Sequence, residues 1–509
     1  MARGRRAALA RGRGGARGER EPTRRSHALS PPRGTIVARA TAFVAAASTL
    51  LGLFDLVSTL VCIRLWVTTA DFGAATLAIA LFPILDRLGG MMLGASLVRD
   101  PEHESTVFWL NAGAAGAVLA LLVVLRPVIG AIAEPIVASL LAAYGIRLVV
   151  QAGSVVPEAR MRRALRFGEL STIRVIAGVT EMVTKLSLAY AGEHVWCFAL
   201  APIANTIVTT LAIQLREPWR PRATFDRGAA VRAARFAGAL SGGELLYYAY
   251  ASADYLVVGA YFGNAAVGAY RLAYEAVLDV VKLVSTMTAE VAYPVLATSR
   301  EVGADLVRFT RQNALALAPV LVFIALEADD LLAALYGPLP DAAATAARIL
   351  CAVGALRVCS FEIPPMLAGV GAARRVLAYH AVAAVVLPAA FAIAGALGSD
   401  FTAIAWAWAA AYPIAFAVLL ALALPLAQLT LRAYLAPLGR VAVCAFGAAV
   451  AGEAARALLP AGPLRLACAA AATAIVYAAL LARLEGVTPF AVARAITAKA
   501  RDTAPRGGT

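Results

Sequence analysis

Long apolar stretches alternate with short clusters of charge from about residue 36 to about residue 482. A helix needs about 20 mostly apolar residues to cross the hydrocarbon core of a bilayer. Fourteen stretches meet that need, among them 36–62, 73–97, 171–191, 236–260, 267–295 and 345–369. Breaks between stretches carry charge, proline or glycine, as at Asp100-Pro101, Glu217-Pro218-Trp219, Gly337-Pro338 and Leu459-Pro460. The pattern predicts an all-α polytopic membrane protein of about fourteen transmembrane helices.

Composition agrees with that pattern. The 509 residues are 61% hydrophobic and 15% charged, where soluble domains run near 45–50% and 25%, and the mean hydropathy is +0.76. The net charge of +15 would suit nucleic acid on a soluble protein, but here its placement argues for membrane topology and against a nucleic-acid partner. With the N-terminus in the cytoplasm, 34 of the 46 lysines and arginines fall in cytoplasmic tails and loops. Only Arg64, Arg126, Arg456 and Arg465 fall outside, as the positive-inside rule requires. The expected address is a bacterial inner membrane, multi-pass, with both termini cytoplasmic. Glu327, Asp329, Asp330 and Asp341 are expected in the longest outer loop.

The remaining inventory excludes several chemistries. Residues 1–34 are rich in Arg, Gly, Ala and Pro without an apolar core, which predicts a disordered basic tail facing anionic lipid rather than a secretory signal. The six cysteines and four histidines are scattered without metal-ligand spacing. No G-x-x-x-x-G-K-[ST] motif occurs, and no loop is long enough for a soluble catalytic domain. The chain is expected to have no enzymatic activity, metal or cofactor.

Shifting the sequence by 195 residues superposes Ala70–Ala78 on Ala265–Ala273, with Gly73 on Gly268 and Leu77 on Leu272. Farther on, Arg87 matches Lys282 and Met92 matches Met287; Pro157 echoes Pro364-Pro365. The expected organisation is a basic tail (1–34), an N-lobe of six helices (35–216), a cytoplasmic linker (217–235), a C-lobe of six helices (236–430), two further helices (431–484) and a C-terminal tail (485–509). A lag of six helices returns to the same orientation, giving a repeat about the membrane normal.

Charge inside the spans is costly, about 2.5–3.5 kcal/mol per residue on insertion scales, so such groups face a cavity or a partner. Eight bases remain there: Arg87, Arg147, Arg174, Lys185, Arg271, Lys282, Arg348 and Arg357. Arg271, Glu275, Asp279 and Lys282 share one face of span eight by spacing, with Arg271–Glu275 and Asp279–Lys282 able to pair. Arg174, Glu181 and Lys185 repeat the pattern in span five, and span ten carries Arg357 and Glu362. A cavity lined by Arg87, Arg147, Arg174, Lys185, Arg271, Lys282 and Arg357 suits an anion such as phosphate. Asp55, Glu244, Asp254, Glu275 and Asp279 are candidates for H⁺ or Na⁺ coupling, or counter-ions of those bases. The alternative for the ladder in span eight is a self-neutralised stripe that packs helices.

The run DYLVVGAYFGNAAVGAYRLAY from Asp254 to Tyr274 resembles the oligosaccharide flippase (Wzx-like) branch of the multidrug/oligosaccharidyl-lipid/polysaccharide exporter superfamily. Thr69–Ala75 and Pro157 with its basic sequel Arg160–Phe167 are similar to the same branch, and the resemblance covers roughly 36–430. It implies two lobes that alternate access and move a polyprenyl-pyrophosphate-linked oligosaccharide, an O-antigen, capsule or exopolysaccharide unit, from the cytoplasmic to the periplasmic leaflet. The implied partners are the lipid-linked oligosaccharide, membrane lipids and a polysaccharide polymerase. Competing readings are a multidrug cation exporter of the same superfamily, which needs a more acidic cavity, and a membrane-embedded polysaccharide polymerase or ligase, which needs a large outer loop.

Overall fold

The computed structural model describes residues 50–485, Met91 apart. The expected tail at 1–34, the expected tail at 485–509 apart from its first residue, and the start of span one lie outside the described residues. Within them the chain is helical throughout, without a strand.

In chain order the helices are α1 (50–65), α2 (Thr69–Leu88), α3 (Leu93–Arg99), α4 (Glu104–Ile132), α5 (Pro135–Ala152), α6 (Val155–Arg163), α7 (Phe167–Tyr190) and α8 (Cys197–Arg216). Then follow α9 (Arg227–Ala251), α10 (Ala253–Phe262), α11 (Asn264–Tyr274), α12 (Val280–Thr298), α13 (Val302–Tyr336), α14 (Asp341–Ser360) and α15 (Ile363–Gly369). The last four are α16 (Ala373–Leu397), α17 (Thr402–Ala423), α18 (Leu431–Leu458) and α19 (Pro463–Glu485). A π-helical turn over Glu275–Asp279 joins α11 to α12. Grouping α2 with α3, α5 with α6, α9 with α10, α11 with α12 and α14 with α15 gives fourteen helical segments among the described residues. Nine candidate segments there are long and apolar enough to cross a membrane. Segments outside that set include α7, α9 and α13, where charge interrupts the apolar run.

The local chemistry explains the ends and breaks. Thr68, Asp226 and Thr430 cap α2, α9 and α18 by accepting from the backbone N–H groups of Asp71, Ala229 and Ala433. The helix following the linker therefore starts at Arg227, inside the stretch expected to be linker to residue 235. Gly263, at φ +82°, turns the chain between α10 and α11.

Helices pair as antiparallel neighbours, α4 with α5, α7 with α8, α13 with α14, α16 with α17 and α18 with α19. Both α18 and α19 dock on α13. Large apolar side chains stand exposed on the outside, Phe446 at 73% and Val124 at 71%, as a lipid-facing surface requires. The acids Glu327, Asp329 and Asp330 do not lie in an outer loop. They sit within α13, where Glu327 kinks the helix (φ −103°, ψ 20°). Arg465 of α19 lies 3.5 Å from Glu327 and 2.5 Å from Asp330, and Arg348 pairs with Asp329. Ion pairing across α13, α14 and α19 accommodates acids that the sequence reading sent to solvent.

The repeat has a physical counterpart. Helices α2 and α11 cross where Gly73 meets Gly268, the pair that the 195-residue shift superposes. A Cβ on Gly73 would strike the carbonyl of Asn264, and a Cβ on Gly268 would strike the carbonyl of Thr69. Thr69 and Asn264 are themselves 195 apart, so the contact is reciprocal, as a local two-fold demands.

Candidate substrate site

Seven bases were expected to line one cavity; the structure divides them by what each one touches. Arg87, at the last turn of α2, forks between Asp86 at 2.6 Å and Glu244 of α9. The ring of Tyr248 lies 5.6 Å from its guanidinium. This pair ties the α1–α8 half to the half that starts at α9.

In the first half, Lys185 is 3% exposed. Its Nζ lies 2.5 Å from Asp55 Oδ1 and donates to Thr59 Oγ1 at 3.1 Å, both on α1. Glu181, one turn earlier, accepts from Asn205 of α8 at 2.9 Å. Asp55, Glu181, Lys185 and Asn205 line a cavity of about 120 Å³ with Phe54 and Ser58. Arg174 pairs with Glu158 of α6 at 3.0 Å.

In the second half, Arg271 donates to Glu275 at 2.7 Å, to Asp279 at 2.9 Å and to the Tyr255 hydroxyl at 2.7 Å. The expected Asp279–Lys282 pair is not made among the described residues. The π turn inserts an extra residue per turn after Glu275, which gives Asp279 to Arg271 and leaves Lys282 exposed. Asp254 is fully buried. It accepts from the Tyr255 amide at 2.9 Å and from Tyr270 Oη and Trp408 Nε1 at 3.0 Å each.

Three of the seven bases have no carboxylate within ion-pairing distance among the described residues: Arg147, Lys282 and Arg357. Arg147 lies 4.4 Å from the centre of the Phe82 ring and donates to Thr206 Oγ1 at 2.9 Å. Arg357 lies 4.6 Å from the centre of the Trp408 ring and donates to Tyr274 Oη at 2.9 Å. Each stands on the longer part of a broken segment, α5 before α6 and α14 before α15. Arg147 precedes the second part by eight residues and Arg357 by six, so the likeness is of place and environment, not of register. A guanidinium held by a ring and a hydroxyl keeps donors and charge for an anion, whereas one locked to two carboxylates does not. Asp254 acts on this arrangement indirectly, since it holds the indole on whose face Arg357 rests.

The sequence reading found the bases but not Phe82, Thr206 or Trp408, which separate an available arginine from a neutralised one. Aromatic residues are common in membrane helices for packing alone, so their pairing with an arginine is visible only in three dimensions.

A family model described as polysaccharide biosynthesis protein matches residues 63–339, more than half of the chain. The chain belongs to this family. Teichuronic acid biosynthesis protein TuaB of Bacillus subtilis (strain 168) is 25% identical over 287 residues, covering 53% of this chain and 58% of that protein. The chain thus spans a little over half the length of that curated relative. Among solved structures, lipid II flippase MurJ in an inward closed conformation superposes with a TM-score of 0.71 at 12% identity. The match covers 87% of this chain and 97% of that one. An inward-facing multidrug resistance MATE family transporter of the MOP superfamily gives 0.53 at 14% identity, over 77% and 95% of the two chains. These likenesses show the fold, an all-helical one shared with transporters, and the family member described here is a multi-pass membrane protein.

Proposed function

We propose that this protein flips a polyprenyl-pyrophosphate-linked oligosaccharide from the cytoplasmic to the periplasmic leaflet of a bacterial inner membrane by alternating access. The observation that carries the reading is the pair Arg147 and Arg357, one in each half, each backed by a ring and a hydroxyl and, among the described residues, free of carboxylate partners. A pyrophosphate with two charged groups suits a site that approaches it from two sides. Family membership supports a polysaccharide intermediate as the cargo. Lys282 contributes a third free cation on the exposed side of α12.

The two lobes correspond to α1–α8 and α9–α17, with α18 and α19 as an added pair. With the N-terminus in the cytoplasm, α2 and α11 both begin at the periplasmic end. The Gly73–Gly268 crossing then lies on that face, which supports reading this conformation as the one closed to the periplasm. Asp55, Glu244, Glu275 and Asp279 all face bases, which supports counter-ion roles; their candidacy for H⁺ or Na⁺ coupling ranks below that. A polysaccharide polymerase is the expected consumer of the flipped product.

Binding of a short-chain polyprenyl pyrophosphate to purified protein tests the site. Charge-assisted hydrogen bonds contribute about 1.5–3 kcal/mol each, so Arg147→Ala and Arg357→Ala should each weaken binding by about 10- to 150-fold. Equal affinity in wild type and both variants would refute the assignment. Preference for lipophilic cations over the pyrophosphate would favour a multidrug exporter instead.

A further inference from the structure

The break between α14 and α15 holds a carboxyl group that the substrate site does not use. Glu362 is 0% exposed, and among the described residues neither carboxylate oxygen has a hydrogen-bond partner. No base pairs with it there: Arg357, five residues earlier, is held at Tyr274 and Trp408. The side chains that neighbouring helices bring to residues 358–360, just before it, are neutral. Tyr434 of α18 donates to the Cys359 carbonyl at 2.5 Å and meets Thr310 of α13 at 3.1 Å. Tyr412 of α17 meets Ser360 at 2.6 Å. Ser285 of α12 and Asn313 of α13 bond to each other at 2.8 Å near the Val358 carbonyl.

A buried carboxylate without donor or counter-ion is strongly disfavoured, and such groups take up a proton instead. The protonated acid needs only one acceptor for its O–H. Pro364 and Pro365 have no N–H, so the helix cannot give the carbonyls of Ser360 and Phe361 their usual donors four residues on.

The corresponding break in the first half shows that the acid is not a requirement of the geometry. Aligning α6 with α15 by their first residues, Val155 and Ile363, puts Pro157 on Pro365 and Ser154 on Glu362. Ser154 is buried too, but its hydroxyl is satisfied by the Gln151 carbonyl at 2.9 Å. The chain therefore makes the same break with a neutral, satisfied side chain in one half and an unsatisfied acid in the other.

We propose that Glu362 is a proton-binding site: it carries a proton in this conformation and releases it to water when the α14–α15 break rearranges. The step is a simple ionisation. The carboxyl O–H bond breaks, the proton goes to water on the newly opened side, and the carboxylate is reprotonated from the other side on return. This deepens the transport reading and rests on it for its direction, but the protonation state can be measured without transport.

Infrared difference spectra of the full-length protein in lipid should show a protonated-carboxyl C=O band at neutral pH. The band should shift in D₂O, move in Glu362→Asp and vanish in Glu362→Gln, which mimics the neutral acid closely enough to keep the fold. A spectrum in which no protonated-carboxyl band moves in Glu362→Asp or vanishes in Glu362→Gln overturns the proposal. In proteoliposomes carrying the lipid-linked oligosaccharide, a pH gradient should accelerate flipping at least severalfold in wild type and not in Glu362→Gln. Gradient stimulation that survives in Glu362→Gln, or stimulation by Na⁺ alone, overturns the coupling role. Failure of wild type to flip under any gradient would instead count against the transport reading, leaving the infrared result to decide the protonation state.

Discussion

Adding one methyl group at the Gly73–Gly268 crossing should loosen the proposed periplasmic closure. In Gly268→Ala the new Cβ meets the carbonyl of Thr69 and comes within 3.2 Å of the Gly73 amide nitrogen. In Gly73→Ala it meets the carbonyl of Asn264 and comes within 2.8 Å of the Gly268 amide nitrogen. All four are backbone atoms of α2 and α11, so no side chain can turn away and the helices themselves must separate. Overpacking of a tight contact costs about 1–3 kcal/mol, which shifts a two-state equilibrium by roughly 5- to 150-fold. The penalty falls on the closed arrangement alone if the helices part in the other state. Gly113→Ala in α4 is the control, because nothing lies within 4 Å of its Cβ position. Disulfide formation between Thr69→Cys and Asn264→Cys, followed over time in membranes, reads the closed population. It should be fast in the parent, slowed in either glycine variant and unchanged with Gly113→Ala. The two glycine variants should not add, since the first separates the helices for the second. Undiminished cross-linking in both variants would refute a closure built on this contact.

Other consequences follow from the pairs described. Lys185→Met strands Asp55 and removes a buried cation; with Asp55 largely exposed, the loss should be about 1–3 kcal/mol, read as a lower melting temperature in detergent. Loss restricted to transport with unchanged melting would mean the pair is not structural. Asp254→Asn keeps the shape but weakens the hold on Trp408, so polyprenyl-pyrophosphate affinity should fall severalfold with little change in expression; an unchanged affinity would detach Asp254 from the Arg357 site. Glu327→Gln leaves Arg465 with Asp330 alone and should increase protease access between α18 and α19 without abolishing membrane insertion. Backbone N–H groups of Ala229, then Gly228, hold the Asp226 carboxyl below its ordinary range. Its capping contribution is therefore present above the ordinary Asp value near 4 and fades as pH falls through the lower folded-state value. The protection of the Ala229 amide, its exchange rate relative to an unstructured amide at the same pH, should fall in acid in wild type and lose that dependence in Asp226→Asn.

The all-helical, multi-pass character was legible because apolar length and interrupting charge are one-dimensional signals. The 195-residue shift identified Gly73 and Gly268 as equivalents, yet their contact could not be read from the chain. Pairing of charges was less legible. Spacing put Asp279 with Lys282, but a π turn that no residue pattern announces reassigned it to Arg271. Glu327, Asp329 and Asp330 looked like loop acids because their partners Arg348 and Arg465 lie 19 residues or more away along the chain. Glu362 was noticed as a charge in a span, but its isolation depends on what the helices packed around it do not offer it.

The most direct measurement is unidirectional flipping in proteoliposomes holding a fluorescent polyprenyl-pyrophosphate oligosaccharide, with head-group exposure read by a membrane-impermeant glycan-binding probe. The account predicts protein-dependent exchange of the inner-leaflet pool, reduced at least tenfold when Arg147 and Arg357 are both changed to Ala. Exchange no faster than in empty liposomes, or exchange untouched by the double substitution, would contradict it.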